Sequence, residues 1–598
     1  MYLSRIRILN FRNFSELDVA LSGNVVVVGE NRVGKSNLLY ALRLVFDASL
    51  PDSARQLGLS DFWDGLGTPD SLDIIRVSAE IKEFEDDLDV LALLTDYRLD
   101  ADPATVRLTY EFRPMAGLEG EPSSESDYEF ICYGGDNESK RFGHELRRRI
   151  ALDVLPALRD AEGDLSVWRR SPLRPLVEAA FADIDRAKLD EIGEAVSAAT
   201  EKVAEFPEVK DLETEIANLF KAMSGPRHDI QPRLGFTPAD ATRLYRSIRL
   251  LTDDGRRSIA EASLGSANLI FLTLKTLELK ALIDKNRRDH SFLAIEEPEA
   301  HLHPHLQRSV YRHLFEKVDD SGDGELSVFL TTHSPHIASV APLRSILLLK
   351  DTDLDGTVGR STASIGLSND EVDDLARYLD VTRAELLFAR GVLLVEGDAE
   401  RFLVPVFAET LTTPLDHLGI SVCSVAGTNF QPYAKLLAGL GIPFAVITDW
   451  DPQGDDKAPL GWNRSLGLVE IVHVATTGKS AKDLIKEIDA IEDPNEFCDR
   501  CEEFGIFSNV KTLEVDLFAG DFVTPIIETL GETSFGKERK ALIETWSKRP
   551  KELDNDEYLK MVETIGKGRF AQRLASRASG LEPPAYIERA IKFLASRV

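Results

Sequence analysis

Cysteine is scarce in this chain of 598 residues. The four present, Cys132, Cys423, Cys498 and Cys501, cannot form a disulfide framework and fit a reducing compartment. Residues 1–11 alternate apolar and polar side chains as a strand does, and they lack the long apolar stretch of a signal peptide or membrane span. No membrane is therefore expected, and the protein is placed in the cytoplasm. Positive charge is short as well: 70 Lys and Arg stand against 101 Asp and Glu, a net charge of -31. Duplex binding runs on clustered cations that release counterions, so a surface coated for DNA is excluded and any nucleic acid must be held locally. Residues 537–598 offer one such place, with 14 Lys and Arg against 9 Asp and Glu. Neither an internal repeat nor a low-complexity tract is present.

With 43% hydrophobic and 29% charged residues the composition is that of an ordinary globular protein, and the length calls for about two to four domains. The four valines 25–28 read as a buried strand, and Gly29-Glu30-Asn31-Arg32-Val33-Gly34-Lys35-Ser36 follows them as GxxxxGK[ST]. A helix-like run opens at Asn37. In that setting backbone N–H groups cradle phosphate, Lys35 neutralises it and Ser36 ligates Mg²⁺. Gly29, Asn31, Gly34, Lys35, Ser36 and Asn37 are the expected nucleotide-binding residues.

Phe292-Leu293-Ala294-Ile295 then forms an apolar strand ending in Glu296-Glu297-Pro298-Glu299. Adjacent carboxylates there suit a magnesium ligand, assigned to Glu296, and a group orienting the attacking water, assigned to Glu297. His333, after the strand at 328–331, is placed near the γ-phosphate. Residues 262–268 stand where ABC-type ATPases keep a signature loop, but without its paired glycine and with Asn268 where glutamine is common. His301, His303 and His305 read as a loop facing a partner subunit rather than as a zinc site. Cys498-Asp499-Arg500-Cys501 lacks a second pair of ligands and is not assigned a metal.

A second acidic centre lies in the last third. Val392-Leu393-Leu394-Val395 leads into Glu396, with Glu400 one helical turn on, and Phe444-Ala445-Val446-Ile447 leads into Thr448-Asp449-Trp450-Asp451. Strand alternation would point Asp449 and Asp451 the same way, toward one ion. Hard oxygens outside the carboxyl ends of α/β strands suit Mg²⁺, with Mn²⁺ or Ca²⁺ as substitutes, and their density implies two ions. Glu396 and Glu400 are thus expected to serve catalysis as well as metal binding. Glu514 is the further candidate for a metal shell. Lys567 is the candidate cation for charge developing on a phosphorane.

In combination, residues 29–36, Ser171-Pro172-Leu173, Glu296 to Glu299, Thr332-His333-Ser334-Pro335, residues 388–397 and Asp449-Trp450-Asp451 resemble the overcoming lysogenization defect (OLD) family. Its members join an ABC-type ATPase to a C-terminal Toprim domain. The class encoded beside a UvrD-like helicase, which includes the nuclease subunit of the Gabija system, is the more similar. The resemblance implies an α/β fold with ATPase segments at 1–158 and 234–375, a helical dimerisation insertion at 159–233 and a Toprim nuclease domain with helical additions at 385–598. It also implies a metal-dependent DNA endonuclease coupled to ATP, acting in anti-phage defence or DNA processing, with DNA, a second copy of the chain and a helicase as partners. By the family pattern Glu396, Glu400, Asp449, Asp451 and Glu514 bind metals and Lys567 is the catalytic lysine. Two other readings stay open: a RecF/SMC-like repair ATPase whose Toprim unit only binds DNA, and a Toprim ribonuclease toxin.

Overall fold

The computed structural model describes residues 1–598 apart from 119, 158, 183, 225–233, 235–245, 247, 255, 321–325, 353–354, 454–457 and 510. Two compact units emerge. One comprises Met1–Leu155, Phe292–Glu299 and His303–Val598, the other Pro156–Ser291 and Ala300–Leu302.

The first unit is organised around strand Val25–Gly29, every residue of which is buried. A run of β-branched residues with no polar face suits a strand covered on both sides, and such strands lie inside parallel sheets. Val25–Gly29 accordingly pairs in parallel with Leu326–Thr331 on one side and Ile346–Thr352 on the other. The eleven-stranded sheet continues to one edge through His290–Glu296 and Ile150–Leu155, and to the other through antiparallel strands Gly356–Ser361, Phe14–Ala20, Tyr2–Phe11, Ile75–Lys82, Val106–Pro114 and Tyr128–Gly134. Phe46 of helix Lys35–Phe46 packs on Phe292, ring centroids 5.2 Å apart, so the helix that opens the phosphate loop is pinned against the strand that carries the paired glutamates. The turn-rich connection expected at 351–356 closes a hairpin onto Gly356–Ser361, with 353 and 354 outside the described residues. That last strand carries too few apolar residues to show in the sequence pattern.

Within the same unit a second sheet of four parallel strands runs in the order Ile420–Ser424, Gly391–Val395, Phe444–Thr448, Ile506–Ser508. The register pairs Val395 with Ile447 and Thr448 with Ser508. Glu396, Asp449 and Asn509 therefore leave their strands side by side at one rim. The basic tail is core rather than appendage: Phe570, Leu574, Ile587 and Leu594 are buried in one cluster with Leu393, Val395 and Ile447.

The second unit is helical: Ala161–Ser166, Leu173–Ala182 and Leu264–Asp284 share a small core of Ala161, Leu165, Ile259, Ala267 and Leu274, and Arg186–Ala204 and Pro207–Ser224 pack on each other. The helical insertion expected at 159–233 can be followed to Ser224, and 225–233 lie outside the described residues. Its last two long helices leave Ile192, Val203, Leu212 and Leu219 exposed, and the link between them exposes Phe206. Among the described residues no helix is long and apolar enough to cross a membrane.

Candidate functional site

Two clusters of charged side chains form at the carboxyl ends of the two sheets. In the first, the backbone after Val28 turns through left-handed residues Arg32 (φ 70°) and Gly34 (φ 88°) before helix Lys35–Phe46 begins. The positive φ of Gly34 favours glycine there, and a β-carbon would also displace the Asn13 amide, 2.0 Å away at Nδ2. No side chain caps the helix, which leaves its first N–H groups open to an anion. Lys35 Nζ donates to the carbonyls of Gly29 (3.0 Å) and Glu30 (2.8 Å), folded back over the loop. Burial lowers its pKa to about 8 against the opposing pull of Glu297 and Glu299. Ser36 and Asn31 are exposed. Asn37 uses both ends of its amide on neighbours, accepting from Arg12 Nη1 at 2.8 Å and donating to Asn13 Oδ1 at 2.7 Å, so as placed it braces the loop.

Strand register brings the other expected residues to Lys35. Glu296 ends strand His290–Glu296 half-buried, and Glu297 turns out in a left-handed conformation (φ 42°) with its N–H on the Thr331 carbonyl at 2.9 Å. Its carboxylate stands 3.8 Å from His333 Nε2. Burial, and then Lys35, lower the His333 pKa, so the ring is neutral near pH 7. A residue with no assigned role in the sequence, Glu299, locks this corner: its carboxylate accepts from Thr332 Oγ1 (2.9 Å) and His333 N (2.6 Å). In the other unit Ser263 caps helix Leu264–Asp284 through Ser266 N, and Asn268 accepts from Arg159 Nε at 3.0 Å.

The five carboxylates of the second cluster divide into two groups. Glu396 Oε1 accepts from Thr448 Oγ1 (2.7 Å), Asp449 N (2.8 Å) and Arg464 Nη1 (2.8 Å), and Arg464 Nη2 reaches Asp451 Oδ2 at 3.1 Å. Asp449 points elsewhere, accepting from Asn509 Nδ2. The expectation that strand alternation aims Asp449 and Asp451 at one ion is thus corrected. The strand ends at Thr448 and Asp451 adopts a left-handed conformation (φ 48°), so alternation no longer applies.

Glu400 and Glu514 share the second group with Asp449. Glu400 is 8% exposed in the first turn of helix Asp398–Thr410, where its carboxylate accepts from Gly397 N at 3.2 Å. Glu514 is 4% exposed and belongs to helix Leu513–Ala519 rather than to a strand edge. Burial, with Glu514 and Glu396 adding repulsion, raises the Glu400 pKa to about 7. For Asp449 burial with Glu396 and Glu400 raises it to about 8. Lys567 Nζ stands 3.6 Å from Glu514 Oε1, on the first residue of helix Lys567–Ala575. That helix can approach because a β-carbon on Gly568 would already be 3.2 Å from Asp398 Cβ. Burial opposes the Lys567 charge, but Glu514, Asp449 and Glu400 outweigh it and its pKa rises.

As these side chains stand, no three acidic, histidine or cysteine residues among the described ones gather around one point. The donor set nonetheless fits a hard divalent cation: carboxylate oxygens, two of the five buried and the others half-buried, that repel one another until positive charge is added. A cavity of about 330 Å³ beside Glu396, lined also by Asp398, Arg383, Arg401 and Ser424, adds cations facing the acidic rim. Arg464, Asn509 and Glu299 were not foreseen. For Asn509 the signal was present, since it ends a strand of the same sheet. No motif marks Arg464. Cys498 and Cys501, with thiol pKa values pushed by burial to about 11 and 12, carry no thiolate at neutral pH.

The phosphate loop is tied to the amino end of the four-stranded sheet, the end opposite the acidic rim. Arg390, the residue before strand Gly391–Val395, makes a bidentate ion pair with Glu30 of the phosphate loop at 2.7 and 3.0 Å.

Comparison with known proteins matches residues 387–451 to the overcoming lysogenization defect protein-like TOPRIM domain, and residues 1–149 and 174–338 to an AAA ATPase domain. Endonuclease GajA of Bacillus cereus is 25% identical over 505 residues, 78% of this chain and 79% of its own length. The OLD nuclease of Thermus scotoductus is 25% identical over 465 residues, 75% of this chain and 82% of its own. Among solved structures, the C-terminal region of the Burkholderia pseudomallei OLD protein is 43% identical, covers 35% of this chain and 98% of its own, and superposes with a TM-score of 0.30.

Proposed function

We propose, from the premise that this chain belongs to the overcoming lysogenization defect family and carries an AAA ATPase domain, that it is a divalent-metal-dependent DNA endonuclease under nucleotide control. The observation that carries this reading is the acidic rim at 396, 400, 449, 451 and 514, closed on one side by Lys567 and faced on another by Arg383 and Arg401. Carboxylates alone repel a phosphodiester. A Mg²⁺ or Mn²⁺ ion held by these carboxylates would let the same rim bind one and would activate a nucleophile, and Lys567 would meet charge on the phosphorus oxygens. Glu400, about half protonated at pH 7, and Asp449, mostly protonated there, would give up those protons to a bound ion. A repair ATPase that merely holds DNA has no need of this set.

The nucleotide site supports ATP with Mg²⁺. Lys35 serves the phosphates, Ser36 and Glu296 the ion, and Glu297 the water beside neutral His333. The Glu30–Arg390 pair is the physical link through which occupancy of the loop reaches the nuclease sheet. The exposed apolar stripe on Arg186–Ala204 and Pro207–Ser224 supports a homodimer. A cytoplasmic setting fits the four unpaired thiols, and a helicase partner in anti-phage defence rests on the family resemblance alone.

Supercoiled plasmid incubated with the full chain should be nicked or cut with Mg²⁺ or Mn²⁺ and stay intact in EDTA. Equal cutting in EDTA refutes the metal centre, and degradation of total tRNA with the plasmid untouched would favour a ribonuclease. Arg390→Ala should cut, with a smaller response to ATP than the wild type. At the other site, Lys35→Ala should weaken ATP binding, whereas Glu297→Gln should bind ATP normally and hydrolyse it at least about tenfold more slowly, because it removes only the water-orienting carboxylate. Filter binding and phosphate release distinguish the two, and unchanged hydrolysis in Glu297→Gln would refute its role.

A further inference from the structure

Arg464 has no role in any of the readings above, although it touches both strand ends of the acidic rim. It lies on helix Leu460–Thr477 with its side chain only 12% exposed. Nη1 donates to Glu396 Oε1 (2.8 Å), Thr448 Oγ1 (2.6 Å) and the Asp449 carbonyl (3.1 Å), and Nη2 donates to Asp451 Oδ2 (3.1 Å). A guanidinium is a rigid planar fork, so one side chain fixes the spacing and tilt of two carboxylates at once.

The pattern of acceptors gives this contact a direction. Glu396 Oε1 takes three hydrogen bonds, from Thr448 Oγ1, Asp449 N and Arg464, which saturates that oxygen and leaves Oε2 as the one with free lone pairs. On Asp451 the fork takes Oδ2, leaving Oδ1. The turn beneath is held by the same helix: Leu460 N donates to the Asp451 carbonyl at 3.2 Å and Gly461 N to the Trp450 carbonyl at 3.1 Å. Gly461 admits no side chain, since a β-carbon would stand 2.7 Å from the Asp449 carbonyl oxygen. A non-glycine residue in a left-handed conformation, as Asp451 is, persists only where its surroundings over-determine it.

We propose that Arg464 is a positioning residue of the metal centre, holding Glu396 and Asp451 by one oxygen each so that Glu396 Oε2 and Asp451 Oδ1 are the oxygens presented to a divalent cation. The proposal rests on the metal-centre reading above. It opposes a plain counter-ion role, in which Arg464 would neutralise the two carboxylates and compete with the metal.

The two differ in sign. Mn²⁺ binding to the full-length protein, followed by calorimetry and by the electron paramagnetic resonance of free Mn²⁺, should weaken about 10- to 100-fold in Arg464→Ala, the usual effect of losing a group that orients ligands. Arg464→Lys should recover part of the loss, because an ammonium can reach one carboxylate but cannot fork two. ATP binding at the phosphate loop reports that each variant is folded. Should Arg464→Ala not fold, the Arg464→Lys and Arg464→Gln variants carry the test, both binding Mn²⁺ more weakly than wild type and Gln the more weakly of the two. Tighter Mn²⁺ binding in Ala or Gln would establish the competing cation and overturn the proposal, and so would unchanged affinity in a wild type that binds. A wild-type protein that binds no Mn²⁺ would overturn the metal-centre reading and this proposal with it.

Discussion

Asp449→Asn should abolish metal-dependent cleavage while leaving a protein that is folded and, without metal, more stable than the wild type at pH 8. Loss of a ligand removes several kcal/mol of charge stabilisation and nucleophile activation, about a thousandfold or more in rate at 1.4 kcal/mol per tenfold. The stability gain follows from the site's electrostatics. Burial with Glu396 and Glu400 raises the Asp449 pKa from 3.8 to about 8. Below about pH 4 both folded and unfolded states hold the proton, and the residue is neutral in its effect on stability. Between there and pH 8 the unfolded chain releases the proton while the folded one keeps it, so the wild type loses stability as pH rises across that window. Asparagine has no proton to lose. Thermal unfolding in EDTA should therefore show a gap between variant and wild type that widens from pH 5 to pH 8, and added Mn²⁺ should raise the wild-type midpoint most at the upper end. A folded Asp449→Asn that cuts at the wild-type rate would end the assignment. A gap that stays flat with pH would mean that the carboxylate is ionised throughout.

What the sequence disclosed, and what it did not, follows from the range of the interactions. The phosphate loop, the strand before it and the paired glutamates are local: a valine run, glycines at the tight turns and carboxylates within one or two residues of a strand end. Each reads directly. Glu396 and Asp449 are legible for the same reason, because parallel neighbours in register place successive strand ends at one rim. The direction of Asp451 is not local. It depends on a left-handed turn held by a helix that begins nine residues later, and alternation gives the wrong answer once the strand has ended at Thr448. Arg464 and Glu299 escape for a related reason. An arginine on a mixed helix and a third acid in a turn carry no periodic signal, and their partners come from other strands. The pairing of cations in the basic tail is likewise not legible. The tail's excess charge reads as a nucleic-acid surface, yet Arg577 pairs with Glu528 and Glu532, and Arg573 stands 3.9 Å from Glu532. Those cations are already engaged within the fold.

Lys567 is the cation of that tail that stands beside the acidic rim, and its replacement should give the second large effect. Its ammonium is half exposed and 3.6 Å from Glu514, at the head of a helix pressed against the one that carries Glu400. A cation that meets charge as it develops contributes to the transition state far more than to the ground state. Lys567→Ala should accordingly slow single-turnover cleavage at saturating enzyme by about 10²- to 10³-fold, the range for removing one such preorganised group. DNA affinity should change by about one phosphate contact, a loss of roughly 0.9 in the salt slope. Arg569→Ala, which removes an exposed cation two residues on, should move binding and leave the saturated rate alone. Lys567 also lies among carboxylates that share its field, so a second explanation must be separated from the first. If its only service were to keep Glu400 and Asp449 ionised for the metal, its loss would raise their pKa values further, and the variant would regain its rate at high pH or high Mn²⁺. Stabilisation of the transition state predicts no such recovery. Cleavage by Lys567→Ala measured from pH 6.5 to pH 9 at two Mn²⁺ concentrations decides the matter: a deficit that stays constant places the ammonium on the reacting phosphate, and one that closes at the alkaline end places it on the ligands.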